Sequence, residues 1–216
     1  MSRRDYRSES ITVSFDTGRC IHAKECVNNL PEVFDVEKRP WIQPDESDPD
    51  TVARVVMRCP TGALQFTRED GGDEEQVPEE NIVIVAKDGP LYIRGDIEMK
   101  EHDGSILLQD TRVALCRCGE SRNKPFCDNS HKNSGFRDSG SLDDGLHAEA
   151  TDNGGGKLEI KLTPNGPLFL KGEFEIRDAK DVTARRESKA ALCRCGHSGN
   201  KPFCDGSHGG IGWRDY

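Results

Sequence analysis

Hydrophobic and polar positions divide this chain into stretches of different period. ITVSFDTGRC (Ile11–Cys20) alternates apolar and polar residues, and EVFDVEKRPWI (Glu32–Ile42) does so less regularly, so both predict strands. Over SDPDTVARVVMRC (Ser47–Cys59) the apolar spacing becomes helical, with Ser or Asp to cap it and a proline in its first turn, and the pattern stops at Cys59-Pro60. A short helix over His22–Asn29 completes a small α+β unit. Further on, Asn81–Ala86 and LYIRGDIEM (Leu91–Met99) alternate again and flank Asp-Gly-Pro, while Asn-Gly-Pro stands at 165–167, so short strands joined by tight turns are expected. From Pro125 and from Pro202 onward the pattern predicts a turn and a short helix, capped by Asp128 or Asp205.

Between these regions, TREDGGDEEQVPEE (Thr67–Glu80) is acidic, contains glycine and has no period, which is the composition of a solvated linker. Domain limits follow at 1–69, a linker at 70–79, then 80–140 and 141–216, with weaker punctuation at Asp138–Gly145 and Asn153–Gly156. The last two segments are copies of one another. DGPLYIRGDIEM matches NGPLFLKGEFEI and ALCRCGESRNKPFCDNSH matches ALCRCGHSGNKPFCDGSH, at a constant offset of 77 positions from Gly89/Gly166 to Phe136/Trp213. No insertion separates the copies, as one shared backbone requires.

Composition narrows the chemistry. Of 216 residues, 33% are apolar and 22 are glycine, so each unit buries a thin core of the kind that metals commonly reinforce. A net charge of -9 with no basic stripe argues against nucleic acid as a partner and suits either solubility or the steering of a basic protein. Nine cysteines cannot all pair, and MSRRDYRSES has no apolar signal core, which together imply a reducing, cytoplasmic setting. The longest apolar run, Ile82–Ala86, is far short of the roughly 20 residues of a membrane span, so no membrane anchor is expected.

All nine cysteines fall into threes: Cys20, Cys26, Cys59; Cys116, Cys118, Cys127; and Cys193, Cys195, Cys204. In both copies a histidine, His131 or His208, stands four residues after the third cysteine. On an extended strand Cys-x-Cys points both sulfurs to one side, near enough to grip one iron, and a Cys-x3-His pair on a helical turn can hold a second. Two irons bridged by sulfide fit this two-plus-two set. A structural Cys3His zinc is the competing reading, although Cys-x-Cys is tight against the spacers of two to four residues that zinc sites use.

CRCGHSGNKPFCDGSH (Cys193–His208) resembles the signature of the CDGSH iron–sulfur (NEET) family, and the first copy departs from it only at Asn129, a residue type that tolerates left-handed backbone. The resemblance covers roughly residues 80–216 and implies a [2Fe-2S] cluster on Cys116, Cys118, Cys127 and His131, and a second on Cys193, Cys195, Cys204 and His208. It further implies a monomer in which the two β-rich units form an intrachain pseudo-dimer, so the expected fold is α+β, with a small ferredoxin-like α+β domain in front. Imidazole is neutral where thiolate is negative, which raises a cluster's potential. Once protonated it cannot bind iron, so acidification is expected to release the clusters and His131→Cys and His208→Cys to suppress that loss; equal loss of visible absorbance in the variants would remove the histidines from this role.

The N-terminal set resembles a divergent single-cluster ferredoxin, in which CPTGAL (Cys59–Leu64) is characteristic. Cys20, Ala23, Cys26 and Cys59-Pro60 fit the frame C-x2-C-x2-C and later C-P, with alanine in the second cysteine's place. Three cysteines suit a [3Fe-4S] cluster. His22, one residue early for the frame, is a candidate fourth ligand that would allow a [4Fe-4S] cluster and is otherwise a surface histidine. Lys124 and Lys201, at matching places before Pro-Phe-Cys, are read either as donors to a cluster edge or as solvated; His102, His147 and His197 read as solvent-facing. No catalytic grouping is assembled by the rest, so the expected function is non-enzymatic: one-electron transfer between redox partner proteins, or cluster delivery to apo iron–sulfur acceptors or redox and iron sensing.

Overall fold

The computed structural model describes residues 3–142, 155–180 and 184–215 and divides into two compact units, Met1–Gln76 and Val77–Tyr216. That division falls inside the acidic segment. His147, Asp143–Gly145 and Asn153–Gly154 lie outside the described residues.

In the first unit, β1 (Arg3–Arg7), β2 (Ile11–Asp16) and β3 (Leu64–Arg68) form an antiparallel sheet in that order. β1 is an exposed edge of charged side chains whose strand character comes from its ladder with β2, not from an apolar pattern. The other elements are α1 (Glu25–Asn29), a 3-10 turn at Pro44–Glu46 and α2 (Pro49–Val56). Asp48 caps α2 by accepting from the Thr51 N–H at 2.9 Å, Pro49 opens it, and Val52, Ala53, Val55 and Val56 are buried, as one apolar face requires. They pack with Ile11, Val13, Phe34 and Phe66.

Glu32–Ile42 is not a strand. Its apolar ends meet in one bridge, Phe34 to Ile42, and the polar stretch between them turns back, with Asp35 N–H on Trp41 O at 2.9 Å and Lys38 N–H on Asp35 O at 3.1 Å. Charged residues followed by a proline without an N–H cannot continue a ladder. The acidic segment is partly tied to the first unit, because Arg68 bonds Asp50 at 2.6 Å and Asp70 at 2.8 Å, and its N–H bonds Glu74 at 2.8 Å.

The second unit is mostly β. Its strands are β4 (Ile82–Val85), β5 (Leu91–Lys100), β6 (Ile106–Leu115), β7 (Lys157–Leu162), β8 (Leu168–Arg177) and β9 (Ala184–Leu192). The first strand of each copy is shared. β4 pairs antiparallel with β5 of its own copy and parallel with β8 of the other, Val83 facing both Ile93 and Ile176. β7 does the reverse, antiparallel to β8 and parallel to β5, with Ile160 facing Leu170 and Met99. β6 and β9 close the outer edges of β5 and β8, with matching register shifts after Arg94 and Lys171. As a result, Val83, Ile93, Met99, Leu158, Leu170 and Ile176 belong to one buried cluster drawn from both copies.

Polar groups fasten the shared strands. Asn81 is buried; its Nδ2 donates to Gly156 O and Glu173 O and its Oδ1 accepts from Asp96 N–H, all at 2.9 Å. Gly140 is also built in, accepting from Ala179 N–H at 3.0 Å, so the chain near the expected boundary at 140 is packed. On the β5–β7 seam, Glu98 receives Lys157 at 3.0 Å, Gln109 at 2.8 Å and Lys100 at 3.2 Å, which lowers its carboxyl from 4.5 to about 2. A depressed carboxyl supports the fold above its unfolded value and loses that support as pH falls. Glu98→Gln is therefore expected to lower the melting temperature at neutral pH and to flatten its fall between pH 4.5 and about 2, read by circular dichroism. No helix among the described residues is long and apolar enough to cross a membrane.

Candidate metal centres

The cysteine pairs of the second unit sit just beyond strands rather than on them. β6 ends at Leu115 and β9 at Leu192, after which the chain curls, through left-handed Gly119 (φ 82°) or Gly196 (φ 83°), and brings Cys116 to 3.6 Å from Cys118 and Cys193 to 3.8 Å from Cys195, sulfur to sulfur. Each third cysteine is delivered alongside by main chain. Cys116 N–H bonds Pro125 O at 2.8 Å and Cys127 N–H bonds Ala114 O at 2.9 Å; Cys193 and Cys204 repeat both bonds on Pro202 and Ala191 at 2.8 Å.

The histidines arrive on one turn each. Ser130–Lys132 is a 3-10 turn and α3 (Ser207–Gly210) a helical one, and they place Nδ1 of His131 at 3.5 Å from Cys127 Sγ and Nδ1 of His208 at 3.5 Å from Cys204 Sγ. The caps are Asn129 and Gly206, both left-handed, one residue later than expected. Asp128 and Asp205 still accept the N–H groups of Ser130 at 2.9 Å and Ser207 at 3.0 Å. The close approaches are pairwise: no three described His, Cys, Asp or Glu side chains close on one ion-sized point.

Thiol electrostatics suit a bound cation. Burial pushes Cys127 up to about 11 and also raises Cys195, while the contact between Cys116 and Cys118 lowers the one and raises the other. The charges of Cys127 and Cys118 sense one another, as do those of Cys195 and Cys204. Main-chain N–H groups face the sulfurs, Asn129 to Cys127 at 3.4 Å and Gly206 to Cys204 at 3.5 Å. Clustered thiolates need positive charge, and N–H donors to sulfur tune a cluster's potential.

The arginine inside each Cys-Arg-Cys went unread in the sequence, although its repetition was the available signal. Arg117 is among the largest fully buried side chains; it donates to Gly89 O at 3.1 Å and Ala86 O at 2.6 Å, pairs with Asp138 and lies 5.2 Å from the Phe136 ring centre. Arg194 does the same with Gly166 O at 3.0 Å, Thr163 O at 2.7 Å, Asp215 at 2.5 Å and Trp213 at 5.2 Å. These two cations tie the cysteine turns to the hairpins before them and to the chain after each histidine. The lysines do not point at sulfur: Lys124 donates to Ser121 O at 2.7 Å and Lys201 to Ser198 O at 2.5 Å. His102 and His197 are exposed.

The two cysteine turns lie back to back. A Cβ on Gly119 would stand 2.3 Å from Cys195 O, and one on Gly196 would stand 2.5 Å from Cys118 O. Trp213, from the second copy, adds an indole N–H to Gly119 O at 3.3 Å.

In the first unit, Cys20, Cys26 and Cys59 line one cavity of about 510 Å³ together with His22, Ala23, Trp41 and Thr61. Burial raises the Cys20 thiol and pushes Cys26 up to about 11, and the three sulfurs sense one another's charge. His22 and Lys24 are left-handed (φ 54° and 65°), which turns the loop's N–H groups inward, His22 to Cys20 and Val27 to Cys26. Such nests of N–H groups hold anionic sulfur centres. The His22 side chain is exposed, and its main chain is what reaches a thiol. Ala23 lies on the same lining.

Three-cysteine sets with inward N–H groups suit an iron–sulfur-binding protein. Residues 6–69 match the family described as divergent 4Fe-4S mono-cluster. Residues 88–132 and 165–209 each match the iron-binding zinc finger of CDGSH type. The uncharacterized protein YjdI of Escherichia coli K12 is 43% identical over 63 residues, which are 29% of this chain and 83% of that protein, and YjdI of strain O157:H7 gives the same figures. The chain belongs to the tandem CDGSH iron–sulfur family, with a divergent 4Fe-4S mono-cluster domain at its N-terminus.

Proposed function

We propose that this chain is a non-enzymatic one-electron carrier with three centres, passing electrons between cytoplasmic redox partner proteins as a monomer. In this reading Cys116, Cys118, Cys127 and His131 hold one [2Fe-2S] cluster, and Cys193, Cys195, Cys204 and His208 a second. Cys20, Cys26 and Cys59 hold a [3Fe-4S] cluster, or a [4Fe-4S] cluster with a fourth ligand from outside the thiol set. His22 stays a candidate for that ligand only if its exposed ring turns inward. The pairing of Cys-x-Cys with Cys-x3-His supports two irons per CDGSH site, since Cys-x-Cys is tight against the spacers of two to four residues that zinc sites use. When bound, each cluster supplies a one-electron redox couple.

The observation that carries electron transfer is the contact between the Cys118–Gly119 and Cys195–Gly196 turns, where the main chain of one ligand set meets that of the other with the Trp213 indole beside it. The reciprocal use of β4 and β7 supports an intrachain pseudo-two-fold. Anaerobic reductive titration with iron and sulfide counts tests the reading: full reduction and reoxidation without loss of iron is expected, and a pale protein with stoichiometric zinc and no acid-labile sulfide defeats it. Cluster delivery is the second reading. It is favoured by the half-buried state of Cys204 and His208, and its test is transfer of iron and colour to an apo-ferredoxin on mixing.

A further inference from the structure

The two CDGSH ligand sets share a signature and differ in their surroundings. Their Cys-x-Cys halves are equally sunk, all four cysteines being buried. Their Cys-x3-His arms are not: Cys127 and His131 are buried, His131 to 8% exposure, whereas Cys204 and His208 are only half-buried. The sequence gives a reason. Around His131 the chain carries Asn129, Lys132 and Asn133, and the matching places around His208 are Gly206, Gly209 and Gly210, each of which opens onto empty space. Ile211, next along, is an exposed apolar residue at 49% where the first copy has Ser134.

A second asymmetry acts in the same direction. Trp213 donates to Gly119 O in the first cysteine turn, and Lys124 of that turn's loop lies 5.9 Å from the Trp213 ring centre. The residue matching Trp213 in the first copy is Phe136, which has no N–H to offer Gly196. The first set is thus held by the second copy through a bond that has no return counterpart.

We propose that the two sets divide their work: the set of Cys193, Cys195, Cys204 and His208 is the exchangeable one, open to an incoming acceptor through the Cys204–His208 arm, and the set of Cys116, Cys118, Cys127 and His131 is retained. The proposal rests on both sets holding [2Fe-2S] clusters. Removal of a core by the chelator EDTA moves no electron: two ferric ions pass to the chelator, two sulfides leave as hydrogen sulfide, and the three thiolates and both sulfides take their protons from water.

The test follows bleaching of the full chain, isolated anaerobically, in excess EDTA at one fixed neutral pH. The phase that Cys59→Ser removes belongs to the N-terminal set. The remaining loss is expected in two phases of equal amplitude, differing about tenfold in rate, the size of effect that supporting partners commonly have on a metal site. Gly209→Lys with Gly210→Asn, both at positions with room for a side chain and without left-handed backbone, should slow the fast phase towards the slow one. Lys132→Gly with Asn133→Gly should quicken the slow phase and leave the fast one unchanged, and Trp213→Phe should quicken the slow phase. A single rate for both sets, or a fast phase that answers to positions 132 and 133, overturns the proposal. A preparation with no labile sulfide instead overturns the cluster assignment beneath it, so the two failures are distinct.

Discussion

Replacing Arg117 with methionine is expected to cost about 3–5 kcal/mol, the loss seen when one partner of a buried ion pair is removed. Asp138 would be left without its cation, and the carbonyls of Ala86 and Gly89 without their donor. A whole domain is commonly stable by only about 5–15 kcal/mol, so this one change brings the second unit close to unfolding. The unfolding midpoint in urea should fall sharply, and iron content with it. Arg194→Met should behave alike through Asp215, Thr163 and Gly166. Lysine should restore little at either place, because one ammonium cannot replace a planar fork that serves three acceptors. An unchanged midpoint in Arg117→Met would show that these contacts do not hold the cysteine turn.

Gly119→Ala should damage two sites with one methyl group. The added carbon would stand 2.3 Å from Cys195 O and would sit on left-handed backbone at φ 82°. Left-handed strain and forced overpacking together amount to about 2–5 kcal/mol. The strain falls on Gly119 itself, but the collision pushes on a cysteine of the other set, so iron should be lost from both. Gly196→Ala should act in the opposite sense on Cys118. Gly212→Ala is the control: its backbone is also left-handed (φ 65°), with nothing within 4 Å of the added carbon, so it carries strain without the collision. Iron loss confined to the altered turn, or equal loss in the control, would show that the two turns do not bear on one another.

Local features were legible because local physics decides them. α2 was readable from Asp48, Pro49 and the apolar spacing that follows, β2 and β5 from alternation, and the ligand groups from their spacing. β1 escaped because RRDYR is a strand only by virtue of its neighbour, and Glu32–Ile42 misled because two buried ends flank a polar turn. The sharing of β4 and β7 between copies could not be read at all. Each strand buries the same side chains whichever copy it joins, so alternation is identical for both pairings. Arg117 and Arg194 were hidden by type, since a charged residue between two cysteines reads as surface until its three acceptors are seen.

Because β7 fills half of one edge of β5, the first copy is unfinished when it leaves the ribosome. About sixty residues separate the end of β5 at Lys100 from the end of β7 at Leu162, and until they are made the bare main chain of that edge invites pairing with the same edge of another nascent chain. A product truncated before Lys157 should accordingly be recovered as a domain-swapped dimer or as aggregate.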